Sequence, residues 1–172
     1  MCAKENTSST DRHYGSQWIL PGDARTLPFA NNTFDVVLLL DVIEHIPLGQ
    51  QEAIIREIAR VLRQGGCLLA SIPNLAHLNS RLRFFWRGEL HRTASVSKHP
   101  GDRPLAEHLS LLQDSGFTIL SHQGVTPTVP GVVTWLLWKR PSKFVWLDAW
   151  LSRLFPPGLC FTTLIRACLE AS

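Results

Sequence analysis

Residues 22–47 read Gly-Asp-Ala-Arg-Thr-Leu-Pro-Phe-Ala-Asn-Asn-Thr-Phe-Asp-Val-Val-Leu-Leu-Leu-Asp-Val-Ile-Glu-His-Ile-Pro and are the most informative part of the chain. An acidic residue, Asp23, follows the short apolar run Trp18–Leu20, and a second, Asp41, ends the longer run Val36–Leu40. A continuous apolar run of this kind is typical of a strand buried in a parallel sheet. Open α/β sheets bind ligands at the carboxyl ends of their strands, so both acids are predicted to lie near a ligand site.

Hydrophobic periodicity outlines the remaining elements. Strands are predicted at Trp18–Leu20, Phe34–Leu40, Cys67–Ile72, Phe117–Leu120 and within Gly158–Leu169, and helices at about Leu48–Gln64 and Arg103–Ser115. Gly65 is expected to end the first helix, because glycine commonly follows the last helical turn. The alternation of strands and helices indicates an α/β fold with a parallel sheet and right-handed crossovers.

At this point the sequence resembles the class I S-adenosylmethionine-dependent methyltransferases, in particular the type 11 group around the quinone-biosynthesis methyltransferases. The resemblance rests on Gly22-Asp23-Ala24, Leu27-Pro28-Phe29 and Leu40-Asp41. It implies a partial Rossmann-like sheet, mostly parallel with an antiparallel last strand, and S-adenosylmethionine as cofactor. By the same resemblance, Asp23 and Ala24 would hold the adenine, and Leu40 and Asp41 would lie beside the methionine half. The expected function is methyl transfer to a small or lipid-like acceptor.

The family pattern also includes two earlier strands and a Gly-rich turn that have no match here, since no Gly-x-Gly occurs in the chain. We therefore predict a flexible N-terminus over residues 1–16 and a domain over 17–172 that lacks its first two strands. The chain alone should bind the cofactor weakly or not at all. The uncovered strand at Val36–Leu40 should favour self-association or a partner chain. A non-catalytic remnant that binds a partner or a membrane surface is the alternative function.

Three acidic or basic side chains of the 22–47 stretch have competing interpretations. Asp23 is either the adenine-binding residue or an ordinary turn aspartate that bonds its own backbone. Asp41 is either a cofactor or acceptor-site residue or the cap of the following helix. His45, beside Glu44, is either the base that takes a proton from the acceptor or part of the same cap. The catalytic candidates are thus His45 and Asp41, and the other histidines are expected on the surface or in loops.

Composition excludes several other classes of protein. A net charge of +3 over 172 residues gives no strongly basic stripe, so no nucleic-acid partner is predicted. The four cysteines show neither zinc-ligand spacing nor a disulfide framework, and no metal site is predicted. Neither a signal peptide nor an apolar run long enough to span a bilayer is visible. A cytoplasmic protein, which can lie peripherally at a membrane, is the expected localisation.

Two segments combine aromatic residues with cations. Leu75–Arg92 reads as a basic amphipathic helix, which suits a membrane surface or an acidic ligand, selection of the acceptor, or simply packing on the domain. A Trp-rich insertion is predicted at about 131–157, and within it Val132–Leu154 interleaves four tryptophans with four cations. This composition favours the bilayer interface, with a helical insertion packed on the domain as the alternative.

Overall fold

The computed structural model describes residues 4–5, 18–90, 95–127, 146, 150 and 153–170. Within them the strands are β1 (Lys4–Glu5), β2 (Trp18–Ile19), β3 (Phe34–Leu40), β4 (Leu62–Pro73), β5 (Phe117–Pro127) and β6 (Cys160–Leu169), and the helices are α1 (Leu48–Val61), α2 (Leu78–Arg87) and α3 (Leu105–Asp114). Short 3₁₀ turns cover Ile43–His45 and Pro157–Leu159.

The main sheet has four strands in the order β3-β4-β6-β5. β3 and β4 are parallel, whereas β6 runs antiparallel to both β4 and β5 and lies between them. The predicted α/β sheet with an antiparallel last strand is confirmed. β1 and β2 form a separate antiparallel pair, which places a two-residue strand within the stretch predicted to be a flexible N-terminus.

One face of the main sheet carries the hydrophobic core. Alternate positions of the strands point to this face, where α1 and α3 cover them. The core includes Leu39, Leu68, Ala70, Phe117, Ile165 and Ala167 from the sheet, Ile54, Ile55 and Ile58 from α1, and Leu105 and Leu112 from α3. The three isoleucines of α1 recur at helical spacing, so that helix buries a single stripe. This packing places the start of α1 beside the carboxyl end of β3.

The opposite face of β3 is open to solvent. Val36, Leu38 and Leu40 are 50%, 60% and 50% exposed, and the neighbouring Leu69 and Leu164 are also exposed. Within the described residues, β3 pairs only with β4, so its other edge has no strand partner. An apolar strand with a free edge and a free face is a template for another chain.

Three predicted boundaries are wrong: the end of α1, the start of β4 and the end of β5. α1 ends at Val61 rather than Gln64, because Leu62 turns into extended backbone and is fully buried as the first residue of β4. Gly65 does not end the helix: it lies inside β4 at φ +73°, where the register with β3 shifts between Phe34 and Val36. β5 continues to Pro127, well beyond the predicted Leu120, because it pairs with β6 as far as Cys160.

Candidate functional site at the carboxyl end of β3

Asp41 is the first residue after β3 and has an unusual backbone conformation. Its φ is +50°, a region that aspartate tolerates better than most residues. Ser71 of β4 holds it in place: the Ser71 Oγ accepts from the Asp41 N–H at 2.9 Å and donates to Asp41 Oδ1 at 2.8 Å. The N-cap of α1 is Pro47, and the Asp41 carboxylate is bonded to Ser71 instead, so the capping interpretation of Asp41 is wrong. Strained residues of this kind cluster at functional sites.

Glu44 and His45 follow Asp41 in the 3₁₀ turn. Glu44 is buried, its Oε2 has no hydrogen-bond partner, and burial, with a smaller contribution from the Asp41 charge, raises the pKa of its carboxyl group. His45 is exposed, and its Nδ1 lies 3.0 Å from the Lys98 carbonyl oxygen. Because a carbonyl can only accept, Nδ1 carries the proton in that bond. The Nε2 lone pair of the neutral ring is then available, and Nε2 lies 4.0 Å from Glu44 Oε1.

The segment 95–102 packs against this turn and completes the cluster. The His99 ring stands edge-on to the His45 ring with centroids 4.7 Å apart, and His99 Nδ1 lies 3.6 Å from Asp102 Oδ1. The Gly101 N–H donates to the Glu44 carbonyl oxygen at 2.9 Å. A Cβ at Gly101 would collide with the carbonyl oxygen of Ile46, so only glycine permits this close approach.

Gln51 of α1 ties these pieces together. The two protons of its fully buried Nε2 are shared among the carbonyl oxygens of Ile43, Ile46 and Gly101. The preceding residue, Gln50, accepts from Arg25 at 3.3 Å. Two consecutive residues at the start of α1 therefore hold both the turn that carries His45 and the loop that carries Asp23.

The Asp23 carboxylate is bound by Arg25. The Arg25 guanidinium contacts it at 2.6–3.0 Å, and the Arg25 N–H donates to Asp23 Oδ1 at 2.9 Å. The side-chain bond and the backbone bond lower the pKa of Asp23 to about 2. Asp23 thus bonds its own backbone in the way the turn interpretation expects, and its adenine-binding role stays a prediction. Ala24 is partly buried against the core, and Leu40 is half exposed at the end of β3.

One family model matches the first part of the chain. Residues 1–70 match the sequence model of the methyltransferase domain. The methyltransferase match ends within β4, so it includes every predicted site residue and the 3₁₀ turn that carries Glu44 and His45.

Curated relatives and solved structures extend the methyltransferase likeness along the chain. The chain is 39% identical over 127 residues to a protein of Encephalitozoon cuniculi named as a methyltransferase, covering 64% of this chain and 57% of that protein. It is 35% identical over 107 residues to the demethylmenaquinone methyltransferase of Mycobacterium tuberculosis, covering 59% and 44%. The chain therefore spans about half the length of these relatives.

A solved S-adenosylmethionine-dependent methyltransferase from Thermotoga maritima superposes on 88% of this chain and 63% of its own, with a TM-score of 0.56 and 18% identity. At that identity the likeness shows the fold alone. The four-stranded sheet thus has the same fold as the corresponding part of this methyltransferase.

Several residues of the candidate site were missed from the sequence. Ser71, Gln51, Lys98 and Gly101 contact the 3₁₀ turn or Asp41, yet they come from three separate elements and no local pattern connects them. Two of the histidines expected on the surface or in loops are buried: His108 lies within α3, whereas His77 lies in the turn before α2, as expected for a loop residue. His77 packs edge-on against Phe161, and apolar spacing around His108 on α3 was the available signal for its burial.

The described residues also give findings on metal ligands, membrane-spanning helices and the Trp-rich insertion. In the described residues no group of three or more His, Cys, Asp or Glu side chains is arranged to hold a metal. Among the described helices none is long and apolar enough to cross a bilayer. Most of the Trp-rich insertion lies outside the described residues; of its four tryptophans, Trp146 and Trp150 are described, and both are exposed.

Proposed function

We propose that this chain carries the acceptor side of an S-adenosylmethionine-dependent methyltransferase that methylates a small or lipid-like acceptor. The observation that carries the proposal is His45: its Nδ1–H is committed to the Lys98 carbonyl oxygen, which leaves Nε2 as a base at the carboxyl end of β3. The names of the demethylmenaquinone relatives support a quinol-type acceptor. The cytoplasmic localisation stays a prediction.

The chemistry requires alignment and, for a carbon or phenol acceptor, removal of a proton. When bound, the cofactor would supply the methyl group of its sulfonium, with the sulfur–methyl bond broken, the acceptor–methyl bond formed and S-adenosylhomocysteine released. His45 Nε2 would take the proton that the acceptor loses. The nearby Glu44 carboxylate would stabilise the resulting imidazolium, as an acidic partner commonly does for a histidine base.

The residues at the strand end fit the methionine half of the cofactor. Leu40 offers an apolar surface, and the Asp41 carboxylate, fixed by Ser71, is suited to a cationic ammonium or sulfonium group. The adenine side fits less well, because Arg25 already binds the Asp23 carboxylate. We therefore propose that the chain alone binds the cofactor weakly, with Asp41 contributing more than Asp23.

Formation of S-adenosylhomocysteine from S-adenosylmethionine and a demethylmenaquinol tests the proposal. His45→Gln should reduce turnover by about 10²–10⁴-fold, the usual contribution of a general base. His122→Gln removes an exposed histidine of β5 and is the matched control. Equal activity in His45→Gln and in the wild type would remove His45 from the reaction. Absence of any turnover, with the cofactor at millimolar concentration, would favour the second candidate function.

The second candidate is a partner-binding protein without activity of its own. The open face and edge of β3 support it, because Val36, Leu38 and Leu40 form an exposed apolar row. One neighbouring solved structure is a complex of a Haloferax volcanii methyltransferase activator with a methyltransferase. By analogy, we propose that β3 accepts a strand or helix from another chain or a second copy of this one.

A further inference from the structure

Helix α2 is a short, sharply bounded element that follows the carboxyl end of β4. His77 caps its start by accepting from the Ser80 N–H, and Gly88 ends it in the left-handed conformation at φ +70°. Its 10 residues make a helix of about 15 Å, too short to span a bilayer. Because β3 and β4 are parallel, α2 begins at the same edge of the sheet as the candidate site.

The apolar stripe of α2 faces away from the domain. Leu78, Leu82, Phe85 and Trp86 recur at helical spacing, a pattern that ordinarily faces a core. Here Phe85 and Trp86 are 77% and 78% exposed, whereas the fully buried residue of the helix is the polar Ser80. The Phe85 and Trp86 rings contact each other edge-on, with their centroids 5.3 Å apart. The packing interpretation of this helix is therefore wrong for the described residues.

Cations flank the exposed stripe. Arg81 is bonded within the domain, because its Nε donates to the Ala76 carbonyl oxygen at 2.6 Å. Arg83 and Arg87 instead line an open cleft of about 480 Å³ beside Trp86. Arg83 has a long contact of 3.3 Å with the exposed Glu89, the one acidic residue between 78 and 90. The cleft has the charge and the donors to accept a phosphate-bearing headgroup.

We propose that α2 docks on the surface of a bilayer that contains anionic lipid. Phe85 and Trp86 would enter the headgroup region, and Arg83 and Arg87 would contact lipid phosphates, as in interfacial amphipathic helices. Charge complementarity favours this occupant, because the cations of α2 exceed its acidic neighbours. The proposal goes beyond methyl transfer and does not need it. It would bring the carboxyl edge of the sheet next to a lipid-soluble molecule.

Flotation of the full chain with vesicles tests the proposal. Binding should be strong to an equimolar mixture of phosphatidylglycerol and phosphatidylcholine, weak to phosphatidylcholine alone, and reduced by added salt. Phe85→Ser with Trp86→Ser should weaken binding at least about tenfold. Both side chains are mostly exposed, so this variant should keep the wild-type unfolding midpoint. Leu48→Ser with Val96→Ser, which removes two exposed apolar residues elsewhere, is the matched control.

A second pair of variants isolates the charge. Arg83→Gln with Arg87→Gln should weaken binding about thirty-fold, at about fivefold for each cation near the surface. Arg56→Gln with Arg63→Gln makes the same change in net charge on other elements and should bind like the wild type.

Four results would overturn the proposal. The wild type could fail to bind the mixed vesicles, or both arginine variants could weaken binding equally. Vesicle binding could be unchanged in both α2 variants, which would assign it to the Trp-rich insertion. The α2 variants could also abolish a dimer rather than lipid binding, which would assign the stripe to a second copy.

Discussion

Replacing Gln51 with leucine tests the packing that holds the candidate site. The Gln51 Nε2 lies 2.9, 3.1 and 2.9 Å from the carbonyl oxygens of Ile43, Ile46 and Gly101, which share its two protons. The Ile43 carbonyl oxygen retains the Ile46 N–H as a donor, so the substitution leaves two carbonyls without this partner. Each unsatisfied buried group costs about 1–3 kcal/mol, offset in part by the apolar leucine. We expect Gln51→Leu to lower the free energy of unfolding by about 2–4 kcal/mol.

Urea unfolding measures this loss, and hydrogen exchange locates it. The amide of Gly101, which donates to the Glu44 carbonyl oxygen, should exchange faster in Gln51→Leu than in the wild type. Gln50→Leu is the matched control, because Gln50 is exposed and contacts Arg25 through a single long hydrogen bond. A loss below about 1 kcal/mol, or equal losses in the two variants, would refute the claim that Gln51 holds the 95–102 segment on the turn.

Three further predictions follow from buried or exposed side chains. Burial, with the nearby Arg103 charge, lowers the pKa of His108 to about 4. The free energy of unfolding should therefore be intact above the unfolded-state pKa of about 6.5 and fall by up to about 3 kcal/mol as the pH drops toward 4. His108→Gln should remove that dependence in acid titrations of unfolding. Burial raises the pKa of Glu44, so the buried carboxyl group costs stability as the pH rises above about 4.5. Glu44→Gln should be at least as stable as the wild type at pH 8 and yet lose methyl transfer. A clear loss of stability at pH 8 would show that the carboxylate has a structural role. Leu38→Lys should reduce self-association in sedimentation velocity relative to Leu154→Lys, an equally exposed control, and a wild type that stays monomeric at tens of micromolar would argue against an adhesive β3 face.

Much of the sheet could be predicted because its strands are long apolar runs with few competing interpretations. β3 has the predicted bounds, and the last strand has the predicted direction. The end of α1 could not be predicted from the sequence, because Arg63 and Gln64 are good helix formers and the burial of Leu62 in the sheet overrides their propensity. The orientation of α2 was equally hidden, since an apolar stripe looks the same whether it faces a core or solvent.

The site could be predicted only where it is local in sequence. Asp41, Glu44 and His45 lie within five residues, so one motif contains them, and the structure brings them together. The groups that orient them come from distant positions: Ser71 fixes Asp41, and Lys98 fixes the tautomer of His45. Such contacts form between elements that are far apart in sequence, so no local residue spacing predicts them. The role of Asp23 could not be predicted either. Its partner Arg25 is close in sequence, but the adenine-binding and turn interpretations of Asp23 differ only in the geometry of its side chain.

The most direct test of the account is a nuclear magnetic resonance titration of the ¹⁵N-labelled chain with S-adenosylhomocysteine at millimolar concentrations. The proposed function predicts weak but saturable shifts at the amides of Leu40, Asp41 and His45, with smaller shifts at Asp23 and Ala24, and their loss in Asp41→Asn. Shifts confined to other parts of the chain, or no saturable shift at all, would contradict the claim that the carboxyl end of β3 is part of a methyltransferase site.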